Sequence, residues 1–107
     1  MANTYKNAKV DLTTTNATTV LTTPVGSTNI IKSMLVSEDS GNADTITLTI
    51  TDTDSAVFSL FKVKAVSANT TVELLTHPLV LQDSEILKAT AATANRLHLV
   101  VSYLEIS

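Results

Sequence analysis

The amino-acid sequence predicts an all-β protein, a single-domain antiparallel β-sandwich of about eight short strands with a jelly-roll-like arrangement. Threonine supplies 19 of the 107 residues, and its branched β-carbon favours extended backbone over helix. Residues 45–51 read TITLTIT, so apolar and hydroxyl side chains alternate with the period of two that a strand requires. Turn signals recur about every 8–12 residues, a spacing that is typical of a sandwich or small barrel.

The first half of the chain predicts four strands. The first lies around residues 8–12, where apolar and charged side chains alternate, and the second covers residues 18–23. The second strand ends at a Pro-Val-Gly turn, because proline cannot donate a ladder hydrogen bond and glycine tolerates positive φ. A third strand covers residues 29–38, and the Ser40-Gly41-Asn42 turn leads from it into the threonine-rich strand. The alternation in that strand places its isoleucines and leucine in the core.

The second half of the chain predicts five further elements. Asp52 and Asp54 mark the turn before the first of them, and His77-Pro78 separates the second from the third. The predicted strands are residues 55–65, 69–75, 79–81, 85–90 and 96–106.

Residues 83–95 have an alternative interpretation. They read DSEILKATAATAN, which is rich in alanine, and Asp83 could cap a helix that buries Ile86 and Leu87. The competing interpretation is a strand over residues 86–90, a turn, and the final strand. We favour strand-turn-strand because an isolated helix this short is marginal without packing.

Composition limits the classes of function. Residues 1–107 fit one domain, with the N-terminal residues able to extend as an arm. The net charge is −3, and the few positive charges are scattered, so we expect no nucleic-acid binding. No apolar run approaches the ~20 residues that span a bilayer, and residues 1–12 contain no secretory signal, so we expect no membrane association. The chain has no cysteine, which excludes disulfides and thiolate sites.

Candidate chemical groups are few. His77 and His98 lie on different predicted strands, without the spacing of a metal or catalytic site. Asp44, Asp52 and Asp54 could gather around calcium, but the glycine and terminal glutamate of a calcium loop are missing, and aspartate is common in turns. We therefore expect no catalytic, cofactor-binding or metal-binding residues and no enzymatic activity.

Three predicted strands carry apolar side chains on both faces. In residues 29–38, strict alternation places Ile30, Met34 and Val36 on one face and Ile31 and Leu35 on the other. In residues 55–65, Phe58 and Leu60 oppose Val57 and Phe61. In the last strand, the two sets are Val100, Leu104 and Ile106, and Leu97, Leu99, Val101 and Tyr103.

A sandwich strand normally keeps one face in water, so a second apolar face implies that something covers it. One explanation is a bulge, an irregular register or a covering loop. The other is an interface between subunits of a symmetric oligomer. For the second explanation the candidate interface residues are Ile30, Met34, Phe58, Leu60, Leu104 and Ile106.

Residues 4–39, TYKNAKVDLTTTNATTVLTTPVGSTNIIKSMLVSED, resemble small virion structural proteins of tailed bacteriophages, in which a threonine-rich strand, a T-x-P-x-G turn and an IIKSMLVS strand occur. Residues 78–107, PLVLQDSEILKATAATANRLHLVVSYLEIS, resemble the ending of the same group. The resemblance spans most of the chain. Its motifs describe a β-scaffold and contain no catalytic signature.

The resemblance implies a small β-sandwich on a phage particle, assembled in the host cytoplasm and released by lysis. The favoured role is a capsid decoration (cement) protein that binds the major capsid protein as a homo-oligomer, with a trimer favoured. Residues 2–9 could add a strand to a neighbouring sheet edge. One alternative is a tail, neck or fibre component, and another is a glycan-binding attachment module that uses Tyr5 or Tyr103, although the chain has no tryptophan.

Overall fold

The computed structural model describes residues 3–107, and within them it contains nine strands in two antiparallel sheets and no helix. The prediction of an all-β antiparallel sandwich is confirmed. The strands are β1 (Asn3–Asp11), β2 (Thr18–Thr22), β3 (Thr28–Glu38), β4 (Asp44–Thr51), β5 (Val57–Val66), β6 (Thr71–Glu73), β7 (Leu79–Leu81), β8 (Ile86–Ala91) and β9 (Leu97–Ile106).

The strand order is that of a jelly roll. Sheet A has the order β1-β9-β3-β6, with β7 also paired to β3, and sheet B has the order β2-β8-β4-β5. β6 and β7 both run antiparallel to β3 along the same edge, so they are the two halves of one interrupted strand. Counted in this way, eight strands form two four-stranded sheets, and every connection except β4–β5 crosses from one sheet to the other, as in a jelly roll.

The interruption between β6 and β7 has a local cause. Pro78 has no N–H to donate, and β6 stops pairing at Leu35 while β7 begins pairing at Ile31. Met34 lies in the short stretch of β3 between its pairing with β6 and its pairing with β7. Its amide donates to the Glu73 carboxylate at 2.7 Å and so keeps a hydrogen-bond partner.

The core lies between the two sheets and follows the alternation of the sequence. Ile46 and Leu48 of β4 are fully buried, as predicted. The four threonines that alternate with the apolar residues of this strand are half-exposed. In β9 the four residues expected in the core are buried, and Val100, Leu104 and Ile106 lie on the opposite face.

The face assignment for β3 is wrong at Met34 because of a bulge. Pairing with β9 passes from Ile31 opposite Tyr103 directly to Ser33 opposite Ser102, so Lys32 is an extra residue. Such a residue reverses the alternation beyond it. Met34 and Val36 therefore share the core face with Ile31, and Met34 is completely buried.

The face assignment for β5 is wrong for a similar reason. The register with β4 shifts twice, between Ile46 and Leu48 and between Leu48 and Thr49. Phe58 is consequently opposite Ile50, and Phe61 is opposite Leu48, so both aromatic side chains point to the inner side of sheet B. The prediction placed them on opposite faces.

Residues 86–106 form a strand, a turn and a strand, as favoured over the helix. β8 ends at Ala91, and the turn contains Asn95 with φ 66°, a conformation that asparagine tolerates better than most residues. The Asn95 amide donates to the Leu12 carbonyl at 2.9 Å, which fixes this turn against the end of β1.

The N-terminal residues from Asn3 onward pair with β9 of the same chain. Their side chains are exposed up to Asn7, and Lys6 forms an exposed ion pair with Glu105, with Nζ and Oε2 3.3 Å apart. Ala2, part of the predicted arm, lies outside the described residues. Addition of this arm to a neighbouring subunit stays a prediction.

Val63 generates a prediction about stability, because it is a β-branched residue with φ 53°. Its amide donates to the Thr47 hydroxyl at 3.0 Å instead of continuing the ladder. An L-residue in this region costs roughly 1–2 kcal/mol, and the greater entropy of glycine in the unfolded chain offsets about 0.5–1 kcal/mol of that, so Val63→Gly should stabilise the fold by about 0.5–1 kcal/mol and raise Tm by roughly 4 °C. Val57→Gly, on the same strand without positive φ, should lower Tm; thermal unfolding of both variants checks the pair.

Candidate interaction surfaces

One row of apolar side chains crosses the whole outer face of sheet A. Tyr5 of β1 is opposite Leu104 of β9, Leu104 is opposite Ile30 of β3, and Ile30 is opposite Val80 of β7. Directly paired residues project from the same face of a sheet, so these four side chains are neighbours in line. Tyr5 is 77% exposed and Val80 is 50% exposed, while the two central residues are half-buried.

A second row lies along the same face. Lys9 is opposite Val100, Val100 is opposite Leu35, and Leu35 is opposite Glu73, so an apolar centre is flanked by a cation on β1 and an anion on β6. The polar side chains of Asn7, Ser102 and Ser33 separate the two rows. We define the apolar face as the outer surface of sheet A that carries Tyr5, Ile30, Leu35, Val80, Val100, Leu104 and Ile106.

The outer face of sheet B has a different character. The four threonines of β4 project from it, and their cross-strand neighbours are Thr90, Lys88 and Ser59 together with the apolar Ala65, Val57 and Ile86, so no row on this face is apolar throughout. Hydroxyl groups can hydrogen-bond to water at little cost. The apolar rows are therefore specific to sheet A.

β5 forms a second, separate surface. It is paired on one side only, with β4, so the backbone groups along its other side are free of ladder partners. Val57 is 61% exposed and Phe58 is 56% exposed, although Phe58 points to the inner side of sheet B. The opposite sheet therefore does not cover this end of the core. We refer to this strand side as the β5 edge.

A groove borders the β5 edge. It has a volume of about 410 Å³, and its walls include Phe61 and Lys64 of β5 and Val72 and Leu75 beyond the gap between the sheets. These apolar side chains are half-buried and pack on the margin of the core. The sandwich is thus open along the side where β5 and β6 end the two sheets.

The structure separates the six candidate interface residues into three places. Ile30, Leu104 and Ile106 lie on the apolar face, and Phe58 and Leu60 lie on β5. Met34 is in the core and has no exposed surface to contribute, because of the bulge at Lys32. Tyr5 and Val80 belong to the same row as Ile30 and Leu104. The alternation within single strands does not predict this, because only the strand order brings these residues into line.

The two tyrosines proposed for glycan stacking are placed differently. Tyr103 faces the core and is buried, so its ring cannot stack on a sugar. Tyr5 is open to solvent on the apolar face.

The structure brings neither the two candidate histidines together nor the three candidate aspartates Asp44, Asp52 and Asp54. His98 lies on the outer face of sheet A between two exposed carboxylates, with Nε2 3.3 Å from Asp11 Oδ1 and Nδ1 3.6 Å from Asp39 Oδ2. His77 is exposed in the β6–β7 connection. Asp44 Oδ2 accepts from the Thr93 amide at 3.0 Å, whereas Asp52 closes the β4–β5 turn at the other end of the sandwich.

Within residues 3–107 no group of three or more histidine, cysteine, aspartate or glutamate side chains is placed to hold a metal ion. In the same part of the chain, no helix has the length and apolarity needed to cross a membrane.

Glu38 is a buried carboxylate that the sequence analysis did not identify. Only 1% of the residue is exposed, yet Oε1 accepts from the Gly41 and Asn69 amides, each at 3.1 Å. Oε2 accepts from the Ser40 amide at 2.9 Å and also from the Ser40 hydroxyl. Burial alone would raise the pKa of Glu38, but these hydrogen bonds outweigh burial and lower its pKa to about 2.

Two other carboxylates have similar structural roles. For Glu73, burial acts to raise the pKa, but hydrogen bonds from the Ser33 hydroxyl and the Met34 amide lower it. For Asp83, hydrogen bonds from the Ser84 hydroxyl and the Gly26 amide, the latter at 2.8 Å, lower the pKa against a smaller effect of burial. All three groups accept backbone hydrogen bonds, so their lowered pKa values indicate structural roles.

No protein-family model matches the chain, and no curated protein matches it either. The surfaces described above are therefore interpreted from their own geometry.

The buried carboxylate of Glu38 predicts acid sensitivity. Its pKa is about 2 in the folded protein and near 4.5 ordinarily, so the unfolded chain takes up the proton first as pH falls. The stability that it contributes is complete above about pH 4.5 and is lost as pH falls toward 2. Glu38→Gln should lower Tm at pH 7 by on the order of 10 °C and flatten this loss of stability.

Thermal unfolding from pH 7 to pH 2 measures both effects. Asp54→Asn removes the same charge from an exposed turn and should change Tm at pH 7 by no more than about 2 °C. Equal pH profiles for Glu38→Gln and the unsubstituted chain would contradict the role assigned to Glu38.

Proposed function

We propose that this chain is a structural protein of a tailed-bacteriophage particle, a capsid decoration protein that binds the major capsid protein and stabilises the shell. It acts as a homo-oligomer, without catalysis and without nucleic-acid or membrane binding. It is assembled onto the virion in the host cytoplasm. The resemblance of residues 4–39 and 78–107 to virion proteins supports this proposal from the sequence side.

The observation that carries the proposal is the presence of two separate apolar surfaces on one small domain. The apolar face belongs to sheet A, and the β5 edge ends sheet B. A decoration protein needs contacts of two kinds, to its own copies and to the shell. An apolar sheet face and a free strand edge can provide the two kinds separately.

We assign the shell contact to the β5 edge. An extended segment of the capsid protein can pair with the free backbone of β5, because strand addition needs only unpaired N–H and C=O groups. Phe58 and the groove beside Phe61 would then receive apolar side chains of that segment. Rupture of the shell has to break these contacts as well, and their repetition over many copies makes small contributions effective.

The first test is the number of copies per purified particle, measured by quantitative mass spectrometry against the major capsid protein. Capsid decoration predicts a ratio near one to one, or one to a few. Only a few copies per particle would move the protein to the tail, neck or fibre. Its absence from particles would reject the virion role.

The second test concerns the β5 edge and uses capsids that lack the protein. Phe58→Asp should weaken capsid binding roughly tenfold or more, because a charge replaces an apolar side chain at the proposed contact. Val25→Asp is the matched control: Val25 is an exposed apolar residue in the β2–β3 turn, away from β5. Equal binding of the two variants, measured by co-sedimentation, would remove the shell contact from β5.

A further inference from the structure

We propose that two copies of this chain pair through the apolar face of sheet A, around a twofold axis that runs parallel to the strands. The inference names the surface used by the oligomer of the proposed function. Its test needs no phage particle, so it can fail while the virion role stands.

The sequence of side chains along each row argues for a second copy as the occupant. A twofold axis parallel to the strands stacks each row on the same row of the second copy, with its direction reversed. Tyr5 then lies over Val80 of the second copy, and Leu104 lies over its Ile30. Every contact in this row is apolar on apolar.

The second row is self-complementary in charge. Reversal places Lys9 over Glu73 of the second copy, and Glu73 over Lys9 of the second copy, on either side of the Val100 and Leu35 contacts. Lys9 and Glu73 are both exposed, and the Glu73 carboxylate carries its negative charge while it accepts hydrogen bonds from the Ser33 hydroxyl and the Met34 amide of its own chain. Opposite charges at the rim contribute little affinity but fix the register in which apolar surfaces associate.

A different axis does not give this match. With a twofold axis perpendicular to the strands, each strand stacks on the same strand of the second copy, and the first row lies over the second row of that copy. Tyr5 then meets Lys9 of the second copy, and Val80 meets its Glu73. Both apolar ends of the first row would then face charged groups, which costs desolvation. The arrangement of residues therefore selects the axis parallel to the strands.

The size of the face is sufficient for a dimer. Four strands about 4.8 Å apart and about 30 Å long present roughly 600 Å² over the whole outer face, which also includes a polar row of Asp11, His98, Ser37 and Thr71. Two copies would then bury on the order of 1,200 Å² in total, at the lower end of specific interfaces. Face-to-face sheets of this kind pack about 10 Å apart with strands within about 30° of parallel, so twisted sheets are compatible with the contact.

Lys32 is a charged side chain close to these rows. It lines a shallow depression of sheet A together with Tyr5, Asn7 and Ser102. The long apolar stem of lysine can cover such a surface while the ammonium group reaches water at the margin. Lys32 is therefore compatible with the pairing.

This dimer replaces the trimer that the sequence analysis favours. A dissociation constant of a few micromolar leaves most chains paired at about 100 µM, so light scattering after size exclusion of the full chain at that concentration should give twice the chain mass of 11.4 kDa. A monomer or a trimer at that concentration would overturn the proposal.

Two variants test which face is used. Val80→Arg places a charge in the first row and should weaken dimerisation at least about tenfold. Val57→Arg changes a valine that is somewhat more exposed, on the outer face of sheet B, and should leave dimerisation unchanged. Thermal unfolding of both variants checks that the fold is intact. Equal dimerisation of the two variants would overturn the assignment to the apolar face.

Cross-linking tests the axis itself. Within one chain Lys9 and Glu73 are on strands three positions apart, about 14 Å, too far for a carbodiimide, which joins amines and carboxylates in direct contact. A mixture of unlabelled and ¹⁵N-labelled chains should give a cross-linked Lys9–Glu73 peptide pair of mixed isotope composition. Lys9→Glu should abolish this product. A dimer without the mixed product would overturn the parallel axis.

Discussion

The hydrogen bonds of the Glu38 carboxylate connect the two loops on which the arrangement of the sheets depends. Glu38 ends β3 in sheet A, and Ser40 and Gly41 begin the connection to β4 in sheet B. Asn69 lies in the connection that returns from β5 to β6. One buried anion therefore holds two crossings between the sheets, and its cost of burial is offset by charge-assisted hydrogen bonds. A neutral side chain of the same shape could not accept as many strong bonds.

The same device recurs at other crossings of the jelly roll. Asp83, in the β7–β8 turn, accepts from Gly26 in the β2–β3 turn, at the opposite end of the sandwich. Asp44 accepts from Thr93 and so connects the start of β4 to the β8–β9 loop. Apart from Asn29 of β3, whose amide group donates to the Thr23 hydroxyl at 3.3 Å, the buried polar side chains of the described residues lie at strand ends or in connections, so the middle of the core is apolar. The outer faces are thereby free to differ, with hydroxyl groups on sheet B and apolar rows on sheet A.

Local alternation was sufficient to predict the fold class and the core faces of β4 and β9, because both strands keep a regular pleat. It failed at Met34, since one extra residue at Lys32 reverses every side chain after it and leaves no mark in the sequence. Glu38 could not be assigned to the core from the sequence, because the parity that it shares with Met34 and Val36 is buried only as a result of the same bulge. The rows on sheet A could not be predicted, because Tyr5 and Val80 become neighbours only through long-range strand order.

The two proposed contacts are geometrically compatible. β5 lies on the side of the sandwich where β6 and β7 end sheet A, away from β1 and β2. The proposed dimer has four layers, with the two A sheets inside and the two B sheets outside. Its twofold axis, parallel to the strands, therefore places the two β5 edges in opposite outer layers and on opposite sides of the dimer. Layers about 10 Å apart put these edges roughly 30 Å from each other. Each edge can then bind a different capsid subunit, so separation of two subunits has to break a strand contact or the dimer itself.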